Sequence, residues 1–283
     1  MTVQLYPSPT TFEPVAGAVY RADPVLFTNE LTALRTSPWP DGRILLSVSD
    51  GTTPVGAAVQ IPGSVLLVSG LLARTSTAAA TALAEIQPDL PEVRGTPEAA
   101  TAFAQAWREV TGGQAIPGTT DVLYRLGDLV PPAGVAGKWR PAQERDTDLL
   151  VAWLDAFYVE AFGSGSDIDG ARAGLQAISD AGGQVLVWTV AEVPVCMARV
   201  HAAVAGMARI GPVYTPPEHR GHGYAAALTA VASRGAFDRG VRDVVLFADA
   251  ANPVSNRVYQ RIGFAPVAEN VRYRLTGNGQ SAG

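Results

Sequence analysis

The chain has 283 residues, 47% of them hydrophobic and 17% charged, with a formal net charge of −5. That apolar content supplies one or two cored domains and excludes a disordered chain, and the mild acidity excludes a non-specific polyanion binder, so no nucleic-acid partner is expected. One cysteine, Cys196, excludes an internal disulfide and fits a reducing compartment.

The opening "MTVQLYPSPTTFEPVAG" carries no basic and apolar leader pattern, and no apolar run reaches about 18 residues. A cytoplasmic protein with no membrane contact is expected. Strands are predicted near Arg43–Val48, Val55–Ile61 and Ser64–Ser69, and helices near Ser76–Ile86 and Pro97–Thr111. "DVLYRL" (121–126) reads as another strand. The stretch "GDLVPPAGVAG" (127–137), rich in Pro and Gly, reads as a linker. Beyond it come a short strand at "KWRPAQ", a helix over "DTDLLVAWLDAFYVEAF" and a second helix over "DIDGARAGLQAISDAGG". Strands follow at Gln184–Val190, Val195–His201 and Ala208–Tyr214, then an alanine-rich helix to Gly240. "DVVLFAD" has the continuous apolar pattern of a central strand. "NPVSNRVYQRIGF" is a helix with Pro253 at its first position. "APVAENVRYRL" closes with one or two strands, and "TGNGQSAG" is a tail expected to fray.

Two pairs of segments echo each other. "RILLSVSDGTTPVGAAV" (43–59) resembles "QVLVWTVAEVPVCMARV" (184–200), and "DVLYRL" resembles "NVRYRL" (270–275). The similar spacing implies two copies of one α/β (α+β) unit, over about 1–130 and 138–276, with 131–137 between them and 277–283 as the tail.

The chemistry-bearing stretch is "YTPPEHRGHGYAA" (214–226). Gly221, Gly223 and Ala226 fit the dinucleotide pattern G-x-G-x-x-A, but "TPPEH" separates them from the preceding strand, which that pattern does not allow. Arg220, Gly223 and Ala225 fit R-x-x-G-x-A instead. About thirty residues on, Asn252, Ser255, Tyr259, Gly263 and Phe264 fill N-x-x-S-x-x-x-Y followed by Gly-Phe. These two motifs, in this order and within this order of elements, resemble the GNAT superfamily of acyl-CoA-dependent N-acetyltransferases over about 138–275. The physics agrees independently: glycine lets the backbone approach an anion, and a helix start directs free N–H groups at it.

The resemblance implies two tandem domains, each with a mixed, mostly antiparallel twisted sheet flanked by helices, and acetyl-CoA as cofactor. It places the cofactor on Val213, Tyr214, Thr215, Arg220, Gly221, His222, Gly223, Tyr224, Ala225, Ala226, Asn252, Ser255 and Tyr259. It also implies that Tyr259 is the general acid at the thioester sulfur, consistent with a phenol pKa near ~10. Many family members carry a glutamate base on the strand before the loop; "MARIGPVY" has none. Glu160 is the candidate base, with Asp249 and His201 as further candidates. Trp153, Phe157, Tyr158, Asp249 and the "GSGSD" loop with Asp167 are candidate acceptor contacts, weighed against simple packing of Trp153 and Phe157 on one helical face. His219 and His222 lack the partners of a metal site, so no metal is expected. Cys196 reads as a small buried hydrophobe. The first half has only "GLLART" where the second has its glycine loop, and "TPEAATAFAQAWREVTGG" lacks the Asn and Tyr, so no cofactor is expected there. The expected activity is acetyl transfer to a small-molecule or peptide amine, by a monomer or homodimer. The competing expectation is a noncatalytic acyl-CoA-binding or sensing module.

Overall fold

Residues 1–35, 42–61, 64–163, 165 and 168–276 are described by a computed structural model. Asp167, most of the "GSGSD" loop and the tail 277–283 lie outside them. The elements run β1 (Thr2–Leu5), α1 (Pro9–Tyr20), α2 (Thr28–Ala33), β2 (Ile44–Asp50), β3 (Thr53–Gln60), β4 (Leu66–Leu67), α3 (Ala73–Ile86), β5 (Glu92–Gly95), α4 (Pro97–Thr111) and β6 (Ala115–Leu126). They continue as β7 (Lys138–Pro141), α5 (Thr147–Phe162), α6 (Ile168–Asp180), β8 (Gln184–Val190), β9 (Val193–Val200), β10 (Met207–Tyr214), α7 (Tyr224–Asp238), β11 (Asp243–Asp249), α8 (Pro253–Arg261) and β12 (Phe264–Leu275).

The second-half expectations hold to within a few residues, and the closing segment, expected as one or two strands, is a single strand of twelve residues. In the first half, β1, α1, α2 and β5 were not predicted. Pro14 inside α1 and the short α2 obscure helical periodicity. A four-residue strand such as β5 gives too few alternations to read.

The chain divides into two units, and the division does not fall in the 127–137 stretch. One unit holds the described residues up to Val122, apart from Arg35, together with those from Ala268 onward. The other holds Leu123–Val267. Each unit therefore takes its last strand from the opposite half of the chain. In the first unit, β1, β2, β3 and β4 pair antiparallel in sequence, β4 and β5 pair parallel, and β12 pairs antiparallel with β5 through Val271↔Gly95 to Arg274↔Glu92. In the second unit, β7, β8, β9 and β10 pair antiparallel and β10 and β11 pair parallel, with the end of β6 beside β11. The repeats 121–126 and 270–275 are these exchanged strands.

The second unit's sheet is covered on both faces, so β8 and β9 are almost wholly buried. Alternation sends Val185, Val187 and Met197 to one face, where they pack with Leu150, Trp153, Leu154, Leu175 and Tyr214 of α5, α6 and β10. Cys196, Ala198 and Val200 point to the other face, where α7 packs. The 127–137 stretch belongs to this unit and is tied down along its length. Gly127 N–H donates to Gly263 O (3.0 Å), Val130 N–H to Ile262 O (3.1 Å) and Trp188 Nε1–H to Ala136 O (2.9 Å). Gly263 is left-handed (φ 105°), and an added Cβ would collide with the Asp128 carbonyl, so the Gly of the Gly-Phe pair is required by this close approach.

Candidate functional site

The site begins where β10 leaves its neighbours. Its register with β9 passes from Ile210↔Val200 to Val213↔Ala198, so Gly211 and Pro212 together stand opposite the single residue Arg199. That extra residue is a β-bulge, which bends the strand. Parallel pairing of β10 with β11 runs from Met207↔Asp243 to Ile210↔Leu246, while the strands themselves continue to Tyr214 and Asp249. Past Ile210 the backbone groups of Val213 and Thr215 are thus without a β11 partner in the recorded register, and the strand ends part. His201 lies beside the bulge, with its Nε2 3.0 Å from Gly211 O. Burial and then the Arg209 and Arg199 charges hold its pKa well below the ordinary imidazole value, so the ring is neutral and bound to backbone.

Beyond β10 the chain turns through Pro217–His219 into Arg220, Gly221, His222 and Gly223. Gly221 (φ 84°) and Gly223 (φ 80°) are both left-handed, a conformation other residues adopt only with strain. Gly223 caps α7 with no side-chain acceptor, which leaves the first N–H groups of the helix available to an anion. Space in front of Gly221 is open. His222 and Tyr224 stack, rings 5.4 Å apart. Ala225 and Ala226 are half-buried, with Ala227 buried behind them. Val135 sits against this loop: a Cβ at Gly223 would lie 3.3 Å from its Cγ2. Nothing in the sequence marks Val135, which hides in the linker-like stretch. The loop and uncapped helix start have the features a diphosphate requires.

Arg220 is engaged elsewhere. Its Nη2 donates to both Glu160 oxygens (2.9 and 2.7 Å), its Nε to Thr215 O (2.9 Å), and its guanidinium lies 5.8 Å from the Tyr214 ring centre. Tyr214 Oη also donates to Glu160 Oε1 (2.9 Å). Burial, then this hydrogen bond to Glu160, pushes the Tyr214 phenol up to about 12. Glu160 and Arg220 are 44% and 47% exposed, so the pair contributes only about 0–1 kcal/mol and can exchange partners readily.

On the opposite side of the sheet, α8 starts at Asn252, whose Oδ1 accepts from Val254 N (3.2 Å) and Ser255 N (3.1 Å). Asp249 Oδ1 accepts from Ala251 N (2.8 Å) and so shapes the turn into that helix. Ser255 lies half-buried in its first turn. Tyr259, one turn on, is buried against Phe264 (6.1 Å) and Tyr124 (6.4 Å). Its hydroxyl has no hydrogen-bond partner among the described residues. Burial, and secondarily the Cys196 thiol, raises its pKa above the ordinary 10.0, so the phenol stays protonated. Cys196 is fully buried; burial pushes its thiol up to about 12. The Thr215 hydroxyl oxygen lies near that thiol but is buried with no hydrogen-bond partner of normal geometry.

Two residues here were missed. Asn256 donates from Nδ2 to Asp249 O (3.0 Å) and Asn252 O (2.8 Å), tying α8 to the end of β11. Tyr124 Oη donates to Asn256 Oδ1 (3.0 Å) and accepts from Gln260 Nε2 (3.4 Å). Tyr124 comes from β6, read as a first-half strand, so only the strand exchange reveals its place.

Of the acceptor candidates, Trp153 is 9% exposed and packs in the core. Phe157 and Tyr158 form an aromatic cluster with Phe162 at 5.6 to 6.2 Å. Among the described residues no three His, Cys, Asp or Glu side chains group as a metal site, and no helix is long and apolar enough to cross a membrane.

Residues 147–264 match the model of the acetyltransferase (GNAT) family. Over 69 residues the chain is 36% identical to a mycothiol acetyltransferase of Catenulispora acidiphila (23% of this chain, 22% of that one). Over 80 residues it is 38% identical to that of Thermobispora bispora (27% of each). The chain thus spans about a quarter of the length of the curated relatives it matches. Three solved structures share the fold. An acetyltransferase from the GNAT family of Colwellia psychrerythraea aligns over 98% of this chain and 100% of its own (TM-score 0.63, 9% identity). A GCN5-related N-acetyltransferase of Sphaerobacter thermophilus aligns over 99% and 97% (0.62, 20%). A tandem GNAT protein from the clavulanic acid biosynthesis pathway aligns over 99% and 100% (0.62, 16%).

Proposed function

We propose that this chain, in which residues 147–264 form a GNAT-family acetyltransferase domain, transfers the acetyl group of acetyl-CoA directly to an amine. The observation that carries the reading is the left-handed Gly221/Gly223 loop at an uncapped helix, together with the protonated, partnerless Tyr259 phenol. The relatives' names, which specify acetyl transfer, support the choice of acyl group.

The N–H groups of Gly221 through Ala226 would hold the diphosphate, with Arg220 adding charge if it exchanges Glu160 for phosphate. The free backbone of Val213 and Thr215 would pair with the amides of the pantetheine arm. Bound there, the thioester supplies an activated acyl carbon and a thiolate leaving group. Tyr259 holds a proton for that thiolate. Asn252 and Ser255 act by fixing the helix start that aims Tyr259. Glu160 is the carboxylate available to accept the amine proton, and to do so it must release one of its bonds from Arg220 and Tyr214.

Tyr259→Phe is expected to keep acetyl-CoA affinity and lower kcat by about 10- to 1,000-fold. Free-thiol release across a panel of amines, alongside calorimetry with coenzyme A, measures both. Unchanged turnover overturns the role of Tyr259. The absence of a β10 carboxylate and the engagement of Glu160 favour a second reading, an acyl-CoA sensor. Coenzyme binding with no turnover on any amine supports that one.

A further inference from the structure

Arg199 is out of keeping with its surroundings. It lies on β9 opposite the Gly211–Pro212 bulge and, by strand alternation, on the same face as Met197, toward α5 and α6. Nη2 donates to Gly174 O of α6 (2.9 Å). Its Nε is buried without a partner, and no hydrogen bond or ion pair from Nη1 is found among the described residues. No described carboxylate pairs with it; its electrostatic neighbour is the Tyr158 hydroxyl, and burial lowers its pKa. His201 lies close by and is held neutral, so it brings no charge to offset that of Arg199. A cation with a buried, unpartnered donor and no anion beside it is costly, and proteins normally exclude or pair it.

The position of Arg199 gives that cost a use. The cofactor loop, Cys196 and Tyr259 belong to the α7–α8 side of the sheet, whereas Glu160 and Tyr214 lie with Arg199 on the α5–α6 side. The amine adds to a face of the acyl carbonyl, and with Tyr259 held for the sulfur on the α7–α8 side and Glu160 for the amine proton on the other, the acceptor belongs on the α5–α6 side. We propose that Arg199 anchors a carboxylate on the acceptor, so that the acceptor is an amino acid or a similar amine bearing a carboxylate. This rests on the acetyl-transfer reading above. On the side-on edge of the guanidinium Nε is free and Nη2, which gives one of its two hydrogens to Gly174 O, keeps a second, so that edge presents the paired donors a carboxylate takes.

The test uses the full chain with coenzyme A, titrated by calorimetry with α-amino acids, β-alanine and 4-aminobutyrate, each beside its carboxamide. Turnover of every pair with acetyl-CoA is followed in parallel. At least one carboxylate is expected to bind about 10- to 100-fold tighter than its amide, in line with a charge-assisted bidentate pair. Arg199→Gln is expected to collapse the ratio to about one, and Arg199→Lys to restore part of it. Wild-type protein that binds no carboxylate, or binds amide and carboxylate alike, overturns the proposal without any variant. Carboxylate selectivity without turnover leaves Arg199 its role and counts against transfer. Turnover indifferent to both the carboxylate and Arg199 does the reverse.

Discussion

The two units are built to one plan and differ where chemistry would occur. In the second, β10 bulges, parts from β11 and runs into two left-handed glycines ahead of an uncapped helix. In the first, β4 is two residues long, and the chain after it is held by Ala57 N–H to Gly70 O (3.0 Å) and Ser69 N–H to Glu30 Oε1 (3.2 Å). Helix α3 then starts at Ala73, after Leu72, without any left-handed glycine before it. Glu30 and Tyr20 fill the space with side chains, and Gly70 is what lets the Tyr20 ring in, since a Cβ there would lie 2.5 Å from it. The helices after β5 and β11 diverge in the same way. Both begin with a side-chain cap and a proline, Thr96-Pro97 and Asn252-Pro253. Six residues past the proline stand Phe103 and Tyr259: both buried rings, with no hydroxyl in the first. The scaffold survives loss of the site because burying a ring and capping a helix stabilise either unit, whereas two left-handed glycines ahead of an uncapped helix add no packing of their own.

Three variants press on this contrast. The largest effect is expected from Gly223→Val. A β-branched residue at φ 80° adds about 1–3 kcal/mol of strain, and its Cβ meets Val135. Acetyl-CoA affinity should fall about 100-fold or more by calorimetry while circular dichroism is retained; affinity within threefold of wild type would show that the loop geometry is dispensable. Tyr124→Phe comes next. Losing its bond to Asn256 loosens the start of α8, and kcat should drop about 3- to 10-fold with KM for acetyl-CoA unchanged. An equal rise in KM would instead make Tyr124 a plain structural support. The smallest effect belongs to the first unit. Glu30 is wholly buried and burial raises its carboxyl pKa. Stability from the protonated form is therefore complete below the unfolded value and declines as pH climbs toward the folded one. Glu30→Gln should remove that decline and raise Tm by a few degrees at pH 8, leaving coenzyme affinity and a stoichiometry of about one per chain untouched. A Tm difference that does not vary with pH would contradict a titrating Glu30.

Much of this was readable in the residues. The second unit's elements and its loop were legible because long amphipathic helices, a continuous apolar strand and spaced glycines are local signals. Pro253 as the first helical residue was read correctly for the same reason. The roles of Tyr124, Asn256, Val135 and Arg199 were not legible, since each depends on a partner far along the chain: α8, β11, the loop, the bulge. Glu160 was visible as a carboxylate, but its bond to Arg220, sixty residues away, was not. A register shift of one residue, which sets Arg199 opposite the bulge, leaves no mark in composition or period.

The exchanged strands have a consequence for how the protein comes into being. Until residues 271–274 have left the ribosome, β5 presents a bare edge where β12 belongs. The second unit, for its part, relies on Leu123–Leu126 from a segment made long before its own core. Most tandem proteins complete one domain while the next is still being synthesised. Here the first unit stays incomplete until after the second has been made, and a cut between the halves of the chain would leave the first unit without its last strand and the second without Leu123–Leu126.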